Sequence, residues 1–212
     1  MSDADARPEG PPDFVRGLGF SDACLADAER FSGMLAEANS RVNLVGASTL
    51  ADYWRRHFLD SAQLLTLAPS ARVWADLGSG AGFPGVILAI LLKDVAGARV
   101  YLVESMAKRC RFLDEAVRAL ALPASVHNAR AESLALDVDV VTARACAPLT
   151  RLLGFARPSL KRGARGLFLK GAEVDSELAE ARKSWRFVLA THPSLSDPRG
   201  RILEITELAR VA

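Results

Sequence analysis

The segment Asp76-Leu77-Gly78-Ser79-Gly80-Ala81-Gly82-Phe83-Pro84-Gly85 concentrates the residue types that bind a nucleotide-like ligand. Glycines at alternate positions let the backbone approach a ligand where any Cβ would intrude. Pro84 suits the first turn of a helix, where an amide hydrogen would have no partner to lose. Two ligand classes fit. Gly80-x-Gly82-x-x-Gly85 satisfies the dinucleotide fingerprint, and Glu104 stands about where a ribose-binding acid belongs. Asp76, however, puts a carboxylate at the base of the loop, where it can anchor the amino-acid end of a zwitterion such as S-adenosylmethionine, directly or through water. Beside a pyrophosphate the same charge repels. The methyl donor is therefore the expected ligand, with NAD and oxidoreductase chemistry as the alternative.

If a methyl group is transferred, the acceptor chemistry is set by Thr142-Ala143-Arg144-Ala145-Cys146-Ala147-Pro148. Methylation of an exocyclic amine usually draws on an Asn/Asp-Pro-Pro-aromatic stretch whose amide and carbonyl accept the amine hydrogens, and none stands here. Carbon methylation of a pyrimidine needs a cysteine nucleophile. Cys146 lies on the right loop but lacks a preceding proline and a neighbouring base, which favours a packed thiol. A ring nitrogen with an in-plane lone pair and no proton, such as guanine N7, needs alignment rather than a general base. No acid–base residue is then expected. Arg144 is placed to position donor or RNA, although the residues alone equally allow a surface salt bridge there.

The elements that must hold these residues alternate in type. Short apolar runs at Val73–Leu77, Arg99–Val103, Ser125–Asn128, Val138–Ala143 and Gly166–Leu169 read as strands. Between them Pro84–Leu92, Ala107–Leu120, Leu149–Leu160 and Glu173–Ser184 read as helices. Such alternation predicts right-handed crossovers and a parallel sheet covered on both faces. Phe187–Ala190 and Ile202–Leu208 have no helix between them and should pair as an antiparallel hairpin at one sheet edge. Ahead of the first strand, Ser21 and Asp22 can cap a helix carrying Cys24, Leu25, Ala28, Phe31 and Leu35 at helical spacing, and a second helical stretch spans about Leu50–Leu67. The expected organisation is a mobile Pro/Gly-rich acidic leader over residues 1–20, a helical extension over 21–68 and an α/β domain over 69–212.

With 212 residues, half of them hydrophobic, the chain can bury a sizeable core. The net charge of +2 is unevenly spread: residues 1–30 carry 7 acidic and 3 basic side chains, leaving 18 acidic and 24 basic in the rest. That distribution is compatible with an anionic partner or with an ordinary solvated surface. Cys24, Cys110 and Cys146 are too few and too irregularly spaced for a disulfide framework or a zinc cluster, so no metal is expected and a reducing compartment, the cytoplasm, is. The acidic N-terminus does not resemble a signal peptide, and no apolar run approaches the roughly 20 residues of a membrane span.

Asp76-x-Gly78-x-Gly80-x-Gly82 resembles motif I of class I S-adenosylmethionine-dependent methyltransferases, a Rossmann-like α/β fold, with Glu104 in the place of the motif II acid. The loop Gly78–Gly85 resembles more specifically that of the RsmG (GidB) family of bacterial 16S rRNA guanine-N7 methyltransferases. Companions follow in order: Asn43-Leu44-Val45, Arg56-His57-Phe58-Leu59-Asp60-Ser61, Glu104-Ser105, Lys108-Arg109-x-x-Phe112-Leu113, Arg130-Ala131-Glu132, Thr142-Ala143-Arg144-Ala145 and Leu169-Lys170-Gly171. The likeness runs over about residues 31–208 and departs at Ala38-Asn39, where Trp-Asn is expected.

The resemblance implies transfer of the S-adenosylmethionine methyl, leaving S-adenosylhomocysteine, to a guanine N7 in the decoding-region loop of 16S rRNA, within the small ribosomal subunit or an assembly intermediate, by a monomer. It implies donor contacts from Asp76, Gly78, Gly80, Phe83, Ala131, Glu132 and Arg144, with Glu104 or Ser105 on the ribose. His57, Asp60 and Ser61 would face the substrate. By spacing alone, Arg56, His57 and Asp60 read rather as an i, i+4 ion pair beside an imidazole. Arg56, Lys108, Arg109, Lys161, Arg162 and Lys170 are the candidate RNA contacts, where ordinary solvated surface is the other reading. A non-catalytic ribosome-binding module with the same fold is the further alternative.

Overall fold

The computed structural model describes residues 11–211. Seven strands form one sheet among them: β1 (Val73–Leu77), β2 (Arg99–Glu104), β3 (Ala124–Asn128), β4 (Val140–Arg144), β5 (Arg165–Lys170), β6 (Trp185–Pro193) and β7 (Arg201–Arg210), in the spatial order β3-β2-β1-β4-β5-β7-β6. The first five run parallel. β7 inserts antiparallel between β5 and β6, so the expected hairpin closes one edge. The order reverses between β1 and β4, which opens a crevice at their carboxyl ends, where ligands of such sheets sit.

The helices are α1 (Asp13–Arg16), α2 (Asp22–Asn39), α3 (Ala47–Ala51), α4 (Asp60–Ala62), α5 (Leu64–Leu67), α6 (Gly85–Leu91), α7 (Ala107–Ala119), α8 (Leu149–Leu160) and α9 (Val174–Arg182). Side-chain alternation along β1 divides the interior. Trp74 joins Phe31, Leu88, Leu102 and Leu113 on the face covered by α2, α6 and α7. Ala75 and Leu77 join Leu152, Phe168 and Trp185 on the face covered by α8 and α9. The central strands read as continuous apolar runs because both faces are buried. No helix among the described residues is long and apolar enough to cross a membrane.

Two expectations about the front of the chain are corrected. Residues 1–10 of the leader lie outside the described residues, and 13–16, ahead of the expected first element at Ser21, are helical. The side chain of Val15 is fully buried and the Arg55 guanidinium sits 5.0 Å above the Phe14 ring. One buried valine on a four-residue helix leaves no periodic signature to read. The single helix expected over Leu50–Leu67 is broken into α3, a π-helical turn at Trp54–Leu59, α4 and α5. In the wide turn the Asp60 amide reaches back to the Arg55 carbonyl. A residue is thereby inserted into the turn, which re-aims the side chains that follow. The capped helix, in contrast, forms as expected: the Ser21 hydroxyl accepts from the Cys24 amide.

Candidate active site

The loop leaving β1 is built by three glycines in the left-handed region, Gly78 (φ 70°), Gly80 (φ 55°) and Gly82 (φ 97°). It is pinned to the end of β2, where the Val103 carbonyl accepts from the Gly78 and Ser79 amides at 2.8 and 3.0 Å. Glu104 continues the tie: Oε2 accepts from the Gly80 amide at 3.0 Å and Oε1 from the Met106 amide at 2.8 Å. Beneath the loop, Asp76 is fully buried. Its Oδ2 accepts from the Gly85 amide at 3.0 Å, while Oδ1 has no partner. Burial pushes the Asp76 carboxyl up to about 7.

A cleft of about 610 Å³ opens beside the loop, lined by Gly78, Glu104, Ser105, Ala131 and Glu132 together with Asn128 and Arg130. This size is ordinary for a small-molecule site. The unpartnered Oδ1 of Asp76 lies behind the loop and lines neither cavity, so a ligand ammonium would meet it through a water, while Glu104 with Ser105 offers oxygens at the second strand's exit. The donor set therefore fits a zwitterionic nucleoside.

A second cavity, of about 760 Å³, lies on the other side of the Ala145–Cys146 wall, which both spaces share. Arg144 is its centre. One guanidinium nitrogen, Nη1, donates to the Arg56 carbonyl at 2.6 Å and to Asp60 Oδ2 at 3.2 Å, and Nη2 donates to His57 Nδ1 at 2.8 Å. Its Cζ stands 4.9 Å from the centroid of the Phe83 ring. His57 must accept through Nδ1, so its proton sits on Nε2, a buried atom with no hydrogen-bond partner. Burial first, then the charges of Arg144 and Arg56, lowers the His57 pKa to about 3. Cys146 is pushed up to about 11, chiefly by burial, and is an unreactive thiol.

The sequence-derived candidates divide accordingly. Gly78, Glu104, Ser105, Ala131 and Glu132 meet at the first cavity, and Arg56, His57, Asp60 and Arg144 at the second. Asp76 and Gly80 support the loop from behind. Phe83, expected on the donor, is instead buried beneath His57 and Arg144 as their floor. Arg144 likewise lines the second cavity rather than the donor cleft. Ser61, expected to face substrate, is fully buried and donates to the His57 carbonyl at 2.7 Å, four residues back along the helix. Asp60 pairs with Arg144 and not with Arg56, which pairs instead with Asp197 at 3.4 Å.

Among the RNA candidates, Lys108 and Arg109 lie at the start of α7, next to the donor cleft. Lys170 lines the second cavity but is only 7% exposed, bound to Glu177 at 2.7 Å and to the Ala147 carbonyl at 3.0 Å, a geometry that braces the wall between the cavities. Lys161 and Arg162 follow α8, which carries the chain back to the starting edge of the parallel strands, the end of the sheet opposite the site. A crossover helix imposes that return, so the sequence already held the signal. Sequence reasoning missed the loop between β6 and β7, which brings Ser194, Ser196 and Asp197 to the second cavity, with Arg201 at the start of β7 beside them. No local motif marks it.

The description of the family model that matches residues 24–200 is GidB, rRNA small subunit methyltransferase G. The chain belongs to the GidB family. Ribosomal RNA small subunit methyltransferase G of Caulobacter vibrioides (strain NA1000 / CB15N) is 61% identical to this GidB chain over 194 residues, covering 92% of it and 90% of the relative. The protein of the same name from Caulobacter sp. (strain K31) is 59% identical over 204 residues, covering 96% and 92%. Among solved structures, an O-methyltransferase from Bacillus cereus in complex with SAH matches the GidB chain with a TM-score of 0.60 at 15% identity, over 92% of this chain and 96% of that one. Magnesium protoporphyrin IX methyltransferase from Synechocystis PCC 6803 with bound SAM matches with a TM-score of 0.54 at 17% identity, over 89% and 99%. These likenesses show the fold, that of class I methyltransferases.

Proposed function

We infer that this GidB chain transfers the methyl group of S-adenosylmethionine to N7 of a guanine in small-subunit ribosomal RNA, the decoding-region loop being its target. Family membership supports the reaction class and turns the reading away from NAD. The observation that carries the acceptor is the second cavity's lack of a poised base or nucleophile. His57 is held neutral with Nδ1 engaged by Arg144, Cys146 is a high-pKa thiol, and Asp60 is committed to donors. Guanine N7 has no proton to remove and suits such a site.

S-adenosylmethionine, when bound, supplies an electrophilic sulfonium methyl, and that chemistry needs no metal. Asp76 Oδ1, behind the loop, is placed to accept from its ammonium through a bridging water, and Glu104 with Ser105 to hold the ribose hydroxyls. Ala131 and Glu132 wall the adenine end. Across the Ala145–Cys146 wall, the N–H groups of Arg144 that remain free after its three internal bonds can hold the guanine edge. Arg56, 45% exposed at the cavity, Arg199 on the β6–β7 loop and Arg201 at the start of β7 are placed for backbone phosphates. The RNA is presented within a small subunit or its assembly intermediate, and the enzyme works as a cytoplasmic monomer.

The test is transfer of labelled methyl from S-adenosylmethionine to small subunits purified from a strain lacking the gene, with the product nucleoside identified. Wild-type protein is expected to yield 7-methylguanosine and Gly78→Asp none. Binding without transfer would instead leave a non-catalytic ribosome-binding module.

A further inference from the structure

We propose that Ser196, on the loop between β6 and β7, is a positioning residue for the acceptor side, acting on Arg144 through Asp60. This rests on the methyl-transfer reading above. Ser196 is 136 residues from Asp60 in sequence, yet its hydroxyl lies 2.6 Å from Asp60 Oδ1 and the side chain is 8% exposed. The other carboxylate oxygen, Oδ2, takes Arg144 at 3.2 Å.

Hydrogen-bond accounting fixes the direction of the chain. Ser196 has one hydroxyl proton, and the Asp60 carboxylate can only accept, so that proton goes to Asp60. The contact between the Ser194 and Ser196 hydroxyls, 2.9 Å, must then be donated by Ser194. Ser194 Oγ in turn accepts from the Ser196 amide at 3.2 Å and from Gln63 Nε2 at 3.3 Å. Gln63 also donates to Asp60 Oδ1 at 3.1 Å and accepts the Leu195 amide through Oε1 at 2.7 Å. Ser196 from the loop and Gln63 from the helical front thus both donate to Oδ1 of one carboxylate.

That carboxylate sets the reach of Arg144. The guanidinium is otherwise held only by neutral acceptors, the Arg56 carbonyl and His57 Nδ1. Its direct ionic contact is Asp60, whose rotamer is free to turn about χ1 and χ2 unless Oδ1 is tied down. Gln63 holds Oδ1 at 3.1 Å from the same helical segment, and Ser196, at 2.6 Å, supplies the shorter tie from the far end of the chain. The β6–β7 loop is thus part of the acceptor site, and orienting the guanidinium is its contribution to transfer.

The full-length chain is compared as wild type, Ser196→Ala, Ser196→Thr, Asp60→Asn and the Ser196→Ala/Asp60→Asn double variant. Methyl transfer to small subunits, calorimetric binding of S-adenosylhomocysteine and the ¹⁵N signals of the imidazole nitrogens are measured. With three histidines in the chain, the His57 signal is readily assigned. Ser196→Ala is expected to lower kcat roughly tenfold, the size of one lost hydrogen bond to a charged group, with S-adenosylhomocysteine affinity within about twofold of wild type. Its His57 Nδ1 resonance shifts because Arg144 is less firmly held. Ser196→Thr restores both readouts, and the double variant is no slower than Asp60→Asn. Wild-type kcat with an unmoved Nδ1 resonance in Ser196→Ala, or losses that multiply in the double variant, would overturn the proposal. If wild-type protein methylates no subunit, the functional reading fails, and the Nδ1 resonance alone still decides whether Ser196 holds Arg144.

Discussion

The imidazole of His57 lies face to face on the ring of Phe83, with centroids 4.3 Å apart and 13° between the planes. Phe83 belongs to the glycine loop and His57 to the π-helical turn, so the stack joins the glycine loop to the second cavity. Packing against an apolar ring is also part of what removes His57 from water, and the charge of Arg144 works in the same direction.

His57 is therefore expected to stay neutral through the working range. Its folded pKa, about 3, lies below the unfolded value near 6.5, so its contribution to stability is complete above the unfolded value and is lost as the pH falls from there toward 3. An NMR titration should show a neutral imidazole down to about pH 4, and Phe83→Ala should raise the midpoint while costing about 3 kcal/mol of stability. A wild-type midpoint at about pH 6 would contradict the burial argument.

Asp76 carries the opposite sign. Its folded pKa of about 7 exceeds the ordinary 3.8, so the protein without donor is least penalised below the ordinary value and loses stability as the pH rises toward 7. The shift corresponds to about 4 kcal/mol. An ammonium bridged to Oδ1 through a water favours the charged form, so S-adenosylhomocysteine should bind roughly tenfold more tightly at pH 8 than at pH 6. Calorimetry checks this, and Asp76→Asn should flatten the dependence.

A Cβ on Gly78 would stand 2.5 Å from Cys146 Sγ, at a φ of +70° that other residues rarely adopt. Gly78→Ala should weaken S-adenosylhomocysteine binding at least tenfold, combining the clash with about 1–2 kcal/mol of backbone strain. Adding Cys146→Ala relieves the sulfur contact but not the strain, so affinity should recover in part. Full recovery, or none, would show that only one of the two effects operates.

Lys170 and Arg56 separate bracing from RNA contact. Lys170→Met leaves Glu177 without its ion-pair partner and should cost about 3 kcal/mol in thermal or denaturant unfolding, while the salt dependence of subunit binding stays as in wild type. Arg56→Gln should do the reverse, leaving unfolding nearly unchanged and reducing the slope of log affinity against log salt by about one. A changed slope in Lys170→Met would return that lysine to the RNA face.

Much of this was legible from the sequence because the informative residues sit where strand ends meet turns. Asp76 and Glu104 terminate β1 and β2, and the glycines between them dictate a loop, so local chemistry and topology give the same answer. The strands of the sheet and the helices α2 and α6 to α9 follow from apolar spacing. What could not be read depends on contacts closed by folding: Ser196 with Asp60, Lys170 with Glu177, Arg56 with Asp197. Each cation looked free because its partner lies on another element. The π-helical turn escaped because inserting one residue leaves the apolar pattern of Trp54, Phe58 and Leu59 looking like an ordinary helix.

The two cavities share only Ala145 and Cys146 in their linings, where Ala145 holds a left-handed φ of 51°. Under the proposed function, donor and RNA would then occupy spaces with otherwise separate walls. Spent nucleoside can depart while the ribosomal particle stays docked, and a fresh one can enter behind it. The kinetic order this architecture favours is random rather than compulsory, with S-adenosylhomocysteine competing against the donor and not against the subunit. In a cell, the ratio of donor to its demethylated form would then set how many encounters with a subunit end in modification.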